Sequence, residues 1–256
     1  IAWQAFDAPW IRRKATLPTY PFQRELFWIE SPPPQIANVS NIDAKGHPLL
    51  GVRLRTPRRE GLLEAQLDGD NPPFLSEHLV QGQVVMPAAC LWEMVLSAGQ
   101  RLGVERPALV QTKVVAPLLL REPRRVQTLL QRGRQGEWIF DVFSQPWEAE
   151  VDEGFIQHVS GVLSQARDLP PPVDPEELRA GFEGEPFDDA WRRHALVIAG
   201  LEMGVTFTWA LAHWRNDQGA LGRVRNATDL ESKGFLIHPG YLDSGLQLLG
   251  ASLPNA

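Results

Sequence analysis

His78 and Asp243 supply a base and an acid without any metal or cofactor motif nearby, and each stands at one end of an unusually apolar, helix-forming stretch. An imidazole is largely neutral at pH 7, with an ordinary pKa of about 6.5, so His78 can accept a proton. Asp243 is set among Tyr, Leu and Gly. A carboxylate buried there is costly unless paired or neutralised, and a low-dielectric setting raises its pKa towards that of a proton donor. Gln247 follows four residues later on the same helix face, where its amide can orient the carboxyl. Taken alone, His78 also reads as a polar strand end, and Asp243 and Gln247 as a helix-interior pair satisfied by backbone.

These groups need elements to hold them. Short β-type runs recur at 47–55, 74–80, 109–115, 126–131, 138–143 and 155–163, separated by Gly, Pro and charged turns. One long helix interrupts them, opening at Pro87, the favoured first-turn position. Ala88, Ala89, Cys90, Leu91, Trp92, Met94, Val95 and Leu96 leave it almost no polar face, so it is expected to be buried on all sides. Strands wrapped round one buried helix describe a hot-dog fold. A Pro-rich linker at 168–181 is expected to be stiff and extended. Beyond it a helix at 189–201, strands at 207–214 and 220–225 and a second apolar helix at 239–253 echo the first half. The predicted class is therefore α+β, a double hot dog: a first half at 47–167 carrying His78 and a second at 182–256 carrying Asp243. The second half is short for a complete hot dog, and the natural chain is expected to continue past Ala256. It opens on Ile1, which suggests a piece of something longer.

The spacing His78-x3-Gly82-x4-Pro87, followed far downstream by Asp243-x3-Gln247, resembles the dehydratase domain of modular type I polyketide synthases. Residues 17–28, Leu-Pro-Thr-Tyr-Pro-Phe-Gln-Arg-Glu-Leu-Phe-Trp, resemble the linker that follows the acyltransferase in such synthases, so 1–46 is read as linker and loop. The resemblance implies a hydro-lyase that removes water from a β-hydroxyacyl thioester on an acyl carrier protein, giving an α,β-enoyl thioester. It implies His78 as general base, Asp243 as general acid and Gln247 assisting. Such elimination also needs a dipole to steady the thioester oxygen. Backbone N–H groups near Gly82 and the helix start behind Pro87 are candidates. The family's Tyr-Gly-Pro-x-Phe tunnel segment reads Met203-Gly204-Val205-Thr206-Phe207 here. Met203 removes a phenol and Val205 a rigid turn. If that departure is functional, a dehydratase-cyclase is the alternative, closing a cyclic ether (a pyran) by oxa-Michael addition. A second alternative is an inactive hot-dog scaffold. His158 is read as structural, and His47 and His238, each before a proline, as turn-forming.

Composition narrows the setting. The 256 residues are 43% hydrophobic and 22% charged, as in an ordinary globular protein. A net charge of −6 spread along the chain gives no case for nucleic acid or anionic membrane. No apolar run reaches a membrane span and no signal peptide opens the chain, so a cytoplasmic setting is expected. Cys90, the single cysteine, excludes an internal disulfide and a thiolate metal cluster. Expected partners are the carrier protein and neighbouring synthase domains, with a homodimer as a further candidate. No metal and no diffusible cofactor are expected, only the phosphopantetheine arm that carries the substrate. Turnover of a β-hydroxyacyl thioester should therefore survive exhaustive chelation. Activity lost to a chelator and restored by one specific metal would contradict this.

Overall fold

Residues 61–67 alternate with period two. Gly61, Leu63, Ala65 and Leu67 are buried, while the residues between them are not, which is the signature of a strand with one face on a core. This strand, β2 (Gly61–Leu67), follows β1 (Val52–Leu54) and joins β5 (Pro107–Val114), β6 (Arg124–Arg132), β7 (Trp138–Pro146) and β8 (Ile156–Gln165) in a six-stranded antiparallel sheet. The order is β1-β2-β6-β7-β8-β5. Its concave face presents Val126, Leu130, Phe140, Val142, Val159 and Leu163 to α2 (Ala88–Arg101). Every residue of α2 from Ala89 to Gly99 is buried except Trp92. Each Leu, Val or Met fully buried there contributes about 1.5–3 kcal/mol.

The computed structural model describes residues 2–11, 13, 47–57, 61–134, 136–149, 154–166, 171–186, 196–197, 200–217 and 219–252. The chain divides into two units, Ile1–Asn38 and Val39–Ala256. In the first, the short helix α1 (Trp3–Asp7) carries an edge-to-face pair of Trp3 and Phe6, both exposed. The segment at 17–28 lies outside the described residues.

Within the second unit a small ribbon joins the two halves. Strand β3 (His78–Val80) pairs on one side with β4 (Gln83–Val84) and on the other with β9 (Leu201–Met203), which belongs to the second half. The antiparallel register sets His78 opposite Met203 and Val80 opposite Leu201. The second half continues through the hairpin β10 (Ala210–Asn216) and β11 (Gly219–Val224), the short helix α4 (Asp229–Ser232), and α5 (Pro239–Ser252). Helix α5 packs on β10 and β11, and also against α2. A strand-wrapped α2 followed by a second helix–hairpin layer is the expected α+β architecture.

Several local expectations need correction. Residues 73–77 are a 3-10 turn (Pro73–Glu77), not strand, with Ser76 Oγ donating to Pro73 O at 2.7 Å; only His78–Val80 is extended. The 168–181 linker is not extended throughout. Helix α3 (Pro175–Ala180) forms inside it, capped by the Asp174 carboxylate, which accepts from Glu176 N at 2.8 Å. His47 to Leu50 do not open a strand; they form a turn ahead of β1. Residues 189–195 and 198–199 of the helix expected at 189–201 lie outside the described set, and its last residue, Leu201, begins β9. Phe207 lies in a 3-10 turn (Val205–Phe207) ahead of β10.

At the start of α5, Gly240 approaches backbone so closely that a Cβ would drive into the carbonyl oxygen of Thr206. Gly240→Ala should therefore destabilise the fold by about 1–3 kcal/mol or more, as overpacking does. Equilibrium urea unfolding measures it, and a midpoint equal to that of the parent would count against this packing.

Candidate active site

His78 opens β3 with its ring buried. Its Nδ1 lies 2.8 Å from the carbonyl oxygen of Val85. A carbonyl only accepts, so Nδ1 carries the hydrogen and the neutral ring keeps its lone pair on Nε2. The hairpin between β3 and β4 makes that contact possible. Gln81 (φ 50) and Gly82 (φ 72) form its two-residue loop, both left-handed, and the backbone returns so that Val85 N–H donates to His78 O at 3.1 Å. Gly82 is thus required by its φ. A Cβ there would meet nothing within 4 Å, so close approach to another group does not explain the glycine.

Glu77, just before His78, holds the facing segment. Its backbone oxygen accepts from Gly204 N at 2.8 Å and its carboxylate accepts from Thr206 N at 2.8 Å. This clamp seats Phe207, fully buried, with its ring edge-to-face against His78 at 5.6 Å between centroids. Val205, in the same turn, is 77% exposed. Pro87 is buried and precedes α2 as its N-cap residue; the helix begins at Ala88.

Asp243 and Ser244 lie on the buried face of α5. Gln247 Nε2 donates to Asp243 Oδ2 at 2.7 Å, to Phe207 O at 2.8 Å, and reaches Met203 Sδ at 3.2 Å. One amide thus joins the acid to the two residues that oppose and touch His78. The start of α5 is fixed by His238, whose Nδ1 accepts from Gly240 N at 3.1 Å. The ring of Trp209 stacks on His238 at 4.5 Å, and the Arg225 guanidinium lies over the Trp209 ring, 3.9 Å from its centre. Arg225 in turn holds the Glu231 carboxyl down at about 2 by hydrogen bonding, aided by Thr228.

A cleft of about 800 Å³ is lined by residues 68–71, 82–84 and 120–123. Neither His78 nor Asp243 lines it; the two are linked through Phe207, whose ring lies against His78 and whose carbonyl accepts from Gln247, the residue that also binds Asp243. Among the described residues no group of three His, Cys, Asp or Glu side chains could hold a metal ion.

Sequence reasoning passed over Glu77, Trp209 and Glu93. Glu93 is the one carboxylate in the apolar run of α2 and is wholly buried, and that isolation was the available signal. His158 does have a structural setting, between Ser144 Oγ (2.7 Å) and Ala116 O (3.1 Å).

The chain matches two family models: residues 47–145 match one described as polyketide synthase dehydratase domain, and residues 170–256 one described as polyketide synthase dehydratase N-terminal domain. It is 30% identical to polyketide synthase GfsA of Streptomyces halstedii over 98% of its own length, and 31% identical to erythronolide synthase EryA2 of Saccharopolyspora erythraea over 93%. It spans only 3% and 7% of those two proteins. Among solved structures it resembles the dehydratase domain from the CurF module of curacin polyketide synthase, with a TM-score of 0.73 and 21% identity, covering 82% of this chain and 77% of that one. It resembles the erythromycin dehydratase with a TM-score of 0.68 and 26% identity, covering 80% and 75%. These likenesses bear out the double hot-dog fold.

Burial is the first cause that lowers the pKa of both His158 and His238 from 6.5. Both rings are held neutral in the fold and take up a proton more readily in the unfolded chain. Their contribution is fully present above 6.5 and is lost as pH falls below it towards the lowered folded-state values. Urea unfolding should show lower stability at about pH 5.5 than at about pH 7.5, and His158→Gln should lessen the difference. Identical pH dependence in parent and variant would remove His158 from the account.

Proposed function

The chain belongs to the dehydratase-domain family of modular type I polyketide synthases, and from that premise we propose that it removes water from a β-hydroxyacyl thioester on an acyl carrier protein. His78 Nε2 takes the proton from the α-carbon. The electrons of that C–H bond form the α,β double bond as the Cβ–O bond breaks. Asp243 protonates the departing hydroxyl, and water leaves. A proton then passes from the imidazolium back to the carboxylate to restore the starting state. Amides in the first turn of α2 are the candidate donors for the thioester oxygen.

The observation that carries this reading is the Gln247 amide. It binds Asp243 Oδ2 on one side and the carbonyl of Phe207, the residue against His78, on the other. His78 is suited to the base role because its Nδ1 is engaged by Val85 O. In the related CurK dehydratase, an Asp→Asn and a His→Phe variant are each described as an inactive mutant, which supports an acid–base pair of these types. The chemistry is redox-neutral and calls for no metal or diffusible cofactor. The carrier protein and neighbouring synthase domains are the proposed partners, the substrate arriving on a phosphopantetheine arm. The ring-forming alternative rests on Met203 and Val205, the two departures from the family's tunnel segment.

His78→Ala and Asp243→Asn should each lower kcat by about 10²–10⁴-fold with the fold intact, and Gln247→Ala by less, because it orients the acid without transferring its proton. Mass spectrometry of synthetic β-hydroxyacyl thioesters, with conjugated enoyl absorbance as a second readout, reports the outcome. Loss of water with that absorbance identifies a dehydratase. An isomeric product without it identifies ring formation, and unchanged mass identifies a scaffold. Parental turnover in folded His78→Ala would remove His78 from the mechanism.

A further inference from the structure

Glu93 is a wholly buried carboxylate at the centre of α2. Four donors converge on it. Ser97 Oγ donates to Oε1 at 2.7 Å and the backbone N–H of Leu236 donates to the same oxygen at 2.7 Å. Ile237 N–H donates to Oε2 at 3.1 Å. His47 is the fourth: its Nδ1 accepts from Leu49 N at 3.1 Å, so the hydrogen of the neutral ring is on Nε2, which lies 3.2 Å from Oε1. Four donors on one carboxyl call for the ionised form. Two of them come from the peptide that leads directly into α5, the helix of Asp243 and Gln247.

We propose that Glu93 is a positioning residue for the dehydration: its carboxylate fastens the peptide ahead of α5 to α2 and sets a fixed negative charge on the helix that packs against the helix of Asp243, favouring the protonated form of the acid. This rests on the acid role proposed for Asp243. Cys90, one turn earlier on α2, is fully buried. Burial raises its thiol pKa most, and the charges of Asp243 and then Glu93 raise it further.

Among the described residues, the elements packed against α5 carry further charged and titratable groups. It packs against α2, β10, β11 and the Val205–Phe207 turn. On β10 and β11, Arg215 and Arg223 are exposed, and His213 is buried. Arg225 is engaged by Glu231. Behind the turn, the Glu77 carboxylate accepts from Thr206 N. His238, at the head of α5, is held neutral by burial. His78 touches Phe207 of the turn. Glu93 is the buried anion tied to the head of α5.

The test is the pH profile of kcat in the full chain, with a β-hydroxyacyl N-acetylcysteamine thioester as probe. An acid that must be protonated sets the alkaline limb. Glu93→Gln removes the charge and keeps the shape, so the limb should move to lower pH by about one unit. Ser97→Ala removes a donor but no charge and should leave the limb in place. A merely structural Glu93 would lower kcat with no movement of the limb, and that result in folded Glu93→Gln overturns the proposal. If Glu93→Gln does not fold, Glu93→Asp decides. It keeps the charge but shortens the reach to Leu236 and Ile237, so kcat should fall with the limb unmoved, whereas parental kcat overturns the positioning role. Asp243→Asn separates the two claims. Parental turnover in that variant sinks the dehydratase reading itself, whereas an unmoved limb in Glu93→Gln sinks only the role of Glu93.

Discussion

A helix buried as fully as α2 cannot be covered by one sheet. The sheet covers one side of α2 through β5, β6 and β8, and the opposite side must be closed by something else. That cover is α5 together with the peptide before it. The two halves therefore share an interior. Glu93 makes the closure specific, because an apolar helix could slide or rotate against α5, whereas a carboxylate that needs four donors has few positions that satisfy it. Leaving a buried anion short of donors is costly, on the order of 3–5 kcal/mol when a buried pair is broken.

The same economy of contacts runs through the acid–base pair. His78 and Asp243 come from different halves, and no long element spans between them. Their relation is set by a three-residue ribbon, β3 against β9, and by single side chains that each make two or more bonds. Glu77 binds two backbone N–H groups of the facing turn, and Gln247 binds both the acid and that turn. Groups held this way need little reorganisation when a substrate arrives, which is where well-placed catalytic groups gain most over freely moving ones.

Much of this was legible in the residues. The His78 and Asp243 spacings pointed to a pair in separate halves, and the all-round apolar pattern of α2 announced its burial. Strands β6, β7 and β8 are visible as alternation. Strand β2 has the same alternation but was missed, because Gly61 and Ala65 carry too little side chain to read as a hydrophobic stripe. Residues 73–77 were misread because Phe74 and Leu75 suit a strand, while Pro72 and Pro73 and the Ser76 hydroxyl favour a tight turn. Helix α3 was hidden in a proline-rich segment, although Asp174-Pro175-Glu176-Glu177 is a sound helix start. The exposure of Val205 could not be read at all, since it depends on a 3-10 geometry imposed from outside by the Glu77 clamp. Glu93 illustrates the reverse: a lone charge in an apolar helix was in plain view, but two of its four partners, Leu236 and Ile237, are more than a hundred residues away in the chain.

Cys90 gives the seam between α2 and α5 a natural reporter. The thiol is fully buried, and its raised pKa keeps it from forming thiolate in the closed state. A thiol reagent can reach it only during moments when the helices part. In the slow-reagent regime, the rate of labelling measures how often that opening occurs and how much free energy it requires, much as amide exchange does for a backbone hydrogen. With a single cysteine in the chain, the signal has one source and needs no engineered probe. The breathing of the two halves against each other is thus written into the molecule as a chemical clock.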